Sequence, residues 1–492
     1  MVRRTPIATL VSALAVGLVS LSLLVATLGQ PSSLRSESQA EAAAAARGAN
    51  PEAAEQAEST LLREQALADA REAGLVGATG RVVARPAAGW AGEVVVGARN
   101  DDWEPAIAAD PNAPYVYLAF TRYGGEKACP NHCPSPAIIL QRSSDGGATW
   151  TKGQFLCECR GWSGQYDPII EVVPDTGHVV ATWMNGFNVF FARSTDHGVT
   201  WSDPVATYGT VSWNDKEVVA TSDDGRDVYV SLNGPTGGDP YVMQSHDFGR
   251  TWTQRKLVDS KRYFFAFDAD VLPDGTVIFS ESSISYTGPA GAPEGVVRHH
   301  AFISRNAGAT WENRVVDSVE VGEPCTADGC SPDFYIGHSA VTADARGALT
   351  FLYDGATTPG GPQRIWARRS TDGGRTWTPR IGLSTAGEQA TSPAVESTGR
   401  GDVRAWYMQE NGGPDAWNVW YRSSNDGGLT WSAPVKISDA TSGRAYKTAD
   451  GFMEIYGDYG EMAITSRGHA IATWGEGFSW IGPGGVWMNR QV

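Results

Sequence analysis

The chain has 492 residues, 55 of them acidic and 39 basic, for a formal charge of −16. That length exceeds one ordinary compact core unless the core is modular, and the acidic balance, with no Lys/Arg cluster, excludes nucleic acid as a partner. Gly (57) and Trp (18) are abundant and charged residues make up only 19%, a mix that favours many short strands joined by tight turns.

Arg3 and Arg4 precede an apolar run from Ile7 to Leu28. The run is nearly long enough to span a bilayer, and Thr27-Leu28-Gly29 is a poor cleavage site. Residues 1–30 therefore read as a signal peptide or a retained signal-anchor, with an N-terminal hydrophobic helix that offers a route to membrane anchoring. Either way the protein is exported, secreted or held on the outer face of the cell membrane. Residues 31–89 are rich in Ala, Glu and Gln, good helix formers, and predict a helical or disordered stalk ahead of a domain over 90–492.

The six cysteines are Cys129, Cys133, Cys157, Cys159, Cys325 and Cys330. An even count in an exported chain favours disulfides. Cys325 and Cys330 can close a small loop. Alternate positions of an extended strand diverge, so Cys157 and Cys159 are expected to pair across to Cys129 and Cys133. A four-Cys zinc site built from the same residues is the alternative, although the spacings are not the usual knuckles.

One phrase, Ser-x-Asp-x-Gly-x-Thr-Trp, recurs at Ser143–Trp150, Ser194–Trp201, Ser245–Trp252, Ser304–Trp311, Ser370–Trp377 and Ser424–Trp431, with Asn for Asp at the fourth copy. The terminal tryptophans are 51 to 66 residues apart, a period that belongs to a propeller or solenoid. A β-rich run precedes each copy, which places the phrase in a hairpin turn. There the Asp side chain can accept backbone amides, Gly supplies a positive φ, and Trp buries against the neighbouring hairpin.

A second phrase precedes each copy: a short apolar strand, a turn and another apolar strand. It begins at Trp103, Tyr166, Asp215, Phe267, Gly337, Thr391 and Tyr459, one more occurrence than the first phrase. After the last of these, only "GGVWMNRQV" remains, and "GEVVVGAR" at residues 92–99 can supply the missing outer strand. Joining both termini in one sheet removes an open edge. The chain is expected to be all-β, with seven blades over 90–492 and six as the alternative.

The six repeated phrases resemble the Asp-boxes, or BNR repeats, of the sialidase (neuraminidase) superfamily. The resemblance implies an Asp-box β-propeller and a glycan ligand at the mouth of the central channel, where the inner strands begin. Tyr459-Gly460-Glu461-Met462 is similar to the segment that opens the final inner strand of sialidases. It implies Tyr459 as nucleophile, with Glu461 or Glu104 as the carboxylate that activates it. The chain departs from the pattern where sialidases bind the substrate carboxylate with three arginines. Trp103-Glu104-Pro105 stands where the first is expected, and Gly337-His338-Ser339 and Tyr353-Asp354 stand where a catalytic Glu and a second Arg belong. It is thus similar to a divergent member that lacks the arginine triad.

Three chemistries stay open. One is glycoside hydrolysis, with Tyr459 and Glu461, or with Asp215 and Glu461 as an acid/base pair. Another is β-elimination on uronic acids, with His338 and Tyr459 as base and acid and Lys216 neutralising the carboxylate. The third is glycan or protein binding without turnover at the cell surface. Glu104, Asp167, Lys216, Asp268 and Asp458 open inner strands and are the expected binding residues. No metal or cofactor pattern appears, and a monomer with a polysaccharide ligand is the expected assembly.

Overall fold

The computed structural model describes residues 65–69, 71–72, 86–97, 100–124, 133–162, 164–211, 213–234, 238–286, 293–324, 336–410, 417–438, 454–477 and 484–492, with the backbone alone for 454–459. The apolar runs read from the sequence form antiparallel strands. Among the described residues these make seven four-stranded sheets, six of them built from strands consecutive in the chain. The sheets are the blades of a seven-bladed propeller. In chain order their inner strands are Asp101–Ala109, Gln165–Val172, Asp215–Thr221, Tyr263–Val271, Ser339–Ala343, Ala390–Thr398 and Glu454–Ile464. Six blades, the alternative count, is excluded.

The seventh sheet consists of Glu454–Ile464, Ala470–Gly477, Gly484–Arg490 and Val94–Val96. Val94 pairs with Met488, Val95 with Trp487 and Val96 with Val486. The segment preceding the first blade thus supplies the outer strand of the last one, as the strand count required. Antiparallel addition there covers an otherwise unpaired edge.

Blades pack through apolar seams. Between the second and third blades, Phe191, Val180 and Val189 meet Val219, Val230 and Met243. The repeated phrase fixes each hairpin and each seam together. Ser194 Oγ accepts the Gly198 N–H at 2.8 Å and donates to Asp196 Oδ1 at 2.8 Å, while Asp196 accepts the Thr200 N–H at 2.8 Å and its hydroxyl at 2.6 Å. The same bonds recur around Asp145, Asp247, Asp372 and Asp426. Trp252 then lies edge-on to Phe191 of the preceding blade, centroids 5.3 Å apart. Gly249 of that turn has φ +76°, and a Cβ there would come 2.1 Å from the Phe191 ring, so both its conformation and its neighbour demand glycine.

Cys157 is bonded to Cys159, Cα atoms 5.2 Å apart, not across to Cys129 and Cys133 as expected. These residues are not in a strand, and Cys159 has φ +34°, so the chain turns and brings the two side chains together. Cys133 is also disulfide-bonded. Sulfurs engaged in disulfides are not thiolate ligands, which removes the zinc alternative for this group. Cys129, Cys325 and Cys330 lie outside the described residues, as do residues 1–30 with their expected leader and most of the expected stalk. Residues 65–69 are helical, and Leu67 packs with Trp406 and Trp417. Among the described residues no helix is long and apolar enough to cross a membrane.

Candidate functional site

Five of the inner strands begin with an irregular turn. Register shifts fall between Trp103 and Ala106, Tyr166 and Ile169, Asp215 and Val218, Ala266 and Asp268, and Thr391 and Ala394. Within four of these bulges one non-glycine residue is left-handed: Glu104 (φ 54°), Asp167 (50°), Lys216 (52°) and Ser392 (51°). Side chains in that region carry a local cost, and such bulges re-aim what they hold. Asp167, Lys216 and Ser392, so placed, line the central cavity, as do Phe267 and His338 at the corresponding places of the fourth and fifth blades, while Glu104 turns to the second blade.

The strands surround a cavity of about 500 Å³. Asp167, Lys216, Asp268, His338 and Glu461, all expected from the sequence, line it together. Glu104 and Asp215 do not. Glu104 instead accepts the Tyr123 hydroxyl at 2.7 Å and the Asp167 N–H at 3.2 Å, tying the first blade to the second. Asp215 is buried beside the channel, so it is not brought together with Glu461 as an acid/base pair. The side chains of Asp458 and Tyr459 lie outside the described residues.

On one side of the mouth the charges answer one another, with Lys216 Nζ 3.9 Å from Asp167 Oδ2. The opposite side carries Phe267, His338 and Ser392. His338 Nδ1 lies 3.1 Å from Asp354 Oδ2, and the His338 ring centroid is 5.2 Å from that of Phe267. Two rows of aromatic rings lie near the starts of the inner strands, and Phe267 of the second row lines the cavity. Tyr123, Tyr166, Phe187 and Trp213 follow one another at centroid distances of 6.0, 6.4 and 5.5 Å. Tyr263, Phe265 and Phe267 make the second row at 4.8 and 6.4 Å. Tyr123, Trp213, Phe265 and Phe267 keep part of their surface exposed.

Farther in, the channel is acidic. Glu171, Glu217, Asp270 and Glu396 join Asp268 and Glu461 on its wall. Burial pushes Asp268, Glu396 and Glu461 up to about 8 and Asp270 to about 6. Burial also raises Glu171 well above the carboxylate range, reinforced by the facing charges of Glu461, Glu396, Asp268 and Asp270. Several of these groups are stitches between blades. Asp268 Oδ2 accepts the Val341 N–H at 2.9 Å, and Asp270 Oδ2 accepts that of Ala343 at 2.6 Å. Among the described residues no group of three or more His, Cys, Asp or Glu side chains is arranged to hold a metal ion.

Sequence reasoning missed Asp354, Thr391, Glu171 and Glu396. The last two had a signal. Asp167-Pro-Ile-Ile-Glu171 and Ser392-Pro-Ala-Val-Glu396 place an acid at the same step of two otherwise apolar inner strands. Among the described residues no arginine lines the cavity. Arg364, on the strand Arg364–Ser370, lies over the Trp366 ring at 4.8 Å and donates to the Ser384 carbonyl.

No family model matches the chain, and no curated protein does. Among solved structures it is similar to a protein of unknown function from Dyadobacter fermentans, at 15% identity and TM-score 0.47 over 82% of this chain and 98% of that one. It is similar to the Hadza microbial sialidase Hz136 at 15% identity and TM-score 0.43, over 80% of this chain and 65% of that one. A third likeness is to a PL25 ulvan lyase, at 12% identity and TM-score 0.47 over 82% and 95% of the two chains. At these levels nothing about ligand or reaction transfers to this chain.

Proposed function

We propose that this chain is a sialidase-like propeller that binds a polysaccharide across the mouth of its channel and cleaves it with His338 as general base. The observation that carries the reading is the placement of His338. It stands on the cavity wall beside Phe267, with one ring nitrogen held by a buried carboxylate, as a base that must be oriented would be. The partly exposed rings of Phe265, Phe267, Trp213 and Tyr123 suit the apolar faces of sugars. Sialic acid hydrolysis is the weaker fit. The arginine cluster with which sialidases hold the substrate carboxylate has no counterpart among the described residues that line the cavity, where Lys216 is the cation.

Base-initiated cleavage suits a uronate. His338 Nε2 takes the proton α to the carboxylate, the electron pair forms the ring double bond, and the glycosidic C–O bond breaks, its oxygen taking a proton from water as it leaves. Lys216 supplies the positive charge at the mouth. The test is a panel of uronate-containing and neutral polysaccharides incubated with residues 81–492, read by ultraviolet absorbance for unsaturated ends and by reducing-end assay for hydrolysis. Product from the wild type and none from His338→Ala supports the reading. No product from any glycan, with measurable affinity for one, supports binding alone. The mutual engagement of Glu104, Asp167 and Lys216 favours that second reading, because it leaves fewer charges for a substrate. The Cys157–Cys159 disulfide supports a place outside the cytosol, where such bonds persist, and fractionation of cells tests it.

A further inference from the structure

We infer that Asp354 and Thr391 are positioning residues that hold the His338 ring in the tautomer protonated at Nδ1, leaving Nε2 as its basic nitrogen. The inference deepens the proposed function and rests on His338 acting as the base.

The argument is a count of hydrogens. Asp354 has none of its surface exposed, and three groups approach its carboxylate. The Gly337 N–H donates to Oδ1 at 2.8 Å, the Thr391 hydroxyl donates to Oδ2 at 2.7 Å, and His338 Nδ1 lies 3.1 Å from Oδ2. Thr391 Oγ1 is also 3.1 Å from His338 Nδ1. A hydroxyl has one hydrogen, and that of Thr391 goes to Asp354, so it presents a lone pair to Nδ1. An ionised carboxylate only accepts. Both of these neighbours of Nδ1 are therefore acceptors, and the single proton of a neutral imidazole belongs there. When Nε2 gains a second proton, the imidazolium faces a buried carboxylate already in place.

Three blades hold the arrangement rigid. The Asp354 N–H donates to the His338 carbonyl at 3.0 Å in the fifth blade. Thr391 belongs to the sixth. From the fourth, His299 Nε2 bonds the Asp354 carbonyl at 2.9 Å, and the His299 ring lies 4.6 Å from that of Tyr353. A carboxylate needed only to anchor a turn would be served by Gly337. The convergence of Gly337, Thr391 and His338 on one carboxylate fixes a ring orientation as well.

The test is a long-range 1H–15N correlation spectrum of the full chain at a pH where His338 is neutral, with His338→Gln identifying its signals. Protonated Nδ1 and bare Nε2 are expected, and the reverse tautomer overturns the inference. In Asp354→Asn the preference for Nδ1–H should be lost. On a cleaved glycan, kcat should fall about 100-fold or more with KM within about twofold. Thr391→Val should move both readouts the same way by less, and Thr391→Ser should restore them. Asp354→Asn or Thr391→Val folded with tautomer and kcat unchanged overturns the inference. A wild type with the expected tautomer but no glycan turnover upholds the inference about the ring and rejects the lyase reading alone.

Discussion

Glu461 Oε2 accepts the backbone N–H of Ile107 at 2.8 Å, which joins the inner strand of the last blade to that of the first. The bond closes the ring on the channel side, while Val94–Val96 closes it on the rim. Burial holds the Glu461 carboxyl up to about 8 against an ordinary 4.5, and Glu396 likewise. The folded state thus binds protons that the unfolded chain releases. Stability from these groups is full below the ordinary value and is lost as pH rises through about 8. Urea midpoints should therefore fall between pH 5 and pH 8. Glu461→Gln, which stays neutral and can still accept from Ile107, should flatten that fall. A midpoint that rises over this window, or a slope identical in Glu461→Gln, would reject the assignment.

Asp196 behaves in the opposite sense. Hydrogen bonds from the Thr200 hydroxyl, the Thr200 N–H and Ser194 hold its carboxyl down to about 2. Stability from the repeated turns is present above the ordinary Asp value and is lost as pH falls through the folded one, so the molecule should also weaken below pH 4. Asp372→Ala removes the acceptor for the Thr376 N–H and hydroxyl. It should lower stability by about 1 to 2 kcal/mol without altering ligand affinity. Calorimetry and a binding titration on the same sample check both halves.

The closing strand makes a third prediction. Val96 is 8% exposed and packs with Val486 and Ile471. Val96→Asp places a charge in that seam, and the strand must either carry it buried or detach from Gly484–Arg490. Either outcome should cost about 3 kcal/mol or more. Detachment also uncovers a strand edge, so self-association should appear in light scattering. A variant with unchanged melting and a monomeric profile would show that the edge is protected by something else.

The fold was legible because it is written in repetition. Six copies of one turn and seven of one inner strand are redundant signals, and the odd count pointed to a strand from residues 92–99. The site was legible only where its residues open strands: Asp167, Lys216, Asp268, His338 and Glu461 line the channel together. Asp354 was invisible because its role depends on register. It continues the Ser339–Tyr353 register by one step, where its N–H donates to the His338 carbonyl, so only the pairing of the two strands brings its carboxylate to the ring. Glu104 misled for a related reason. Its left-handed conformation turns it toward the next blade, where the Asp167 N–H takes it, and no sequence pattern distinguishes that from a turn into the channel.

The aromatic rows give the last prediction, and they separate ligand binding from chemistry. Phe267 carries no hydrogen bond that a catalytic role would require, and Trp213 sits on the far row, stacked on Phe187 at 13°. If the polysaccharide lies across both, Phe267→Ala and Trp213→Ala should each weaken affinity about tenfold, the loss of roughly 1.4 kcal/mol of stacking and burial. The losses should nearly add, since the two rings sit on different rows and share no partner. His338→Ala should leave affinity within about twofold while abolishing product, because a general base acts mainly in the transition state. Isothermal titration with an oligosaccharide of the active polysaccharide, run beside a turnover assay, reads both quantities. A Trp213→Ala variant that binds as the wild type does would confine the ligand to the Phe267 side and shorten the predicted binding site by a row.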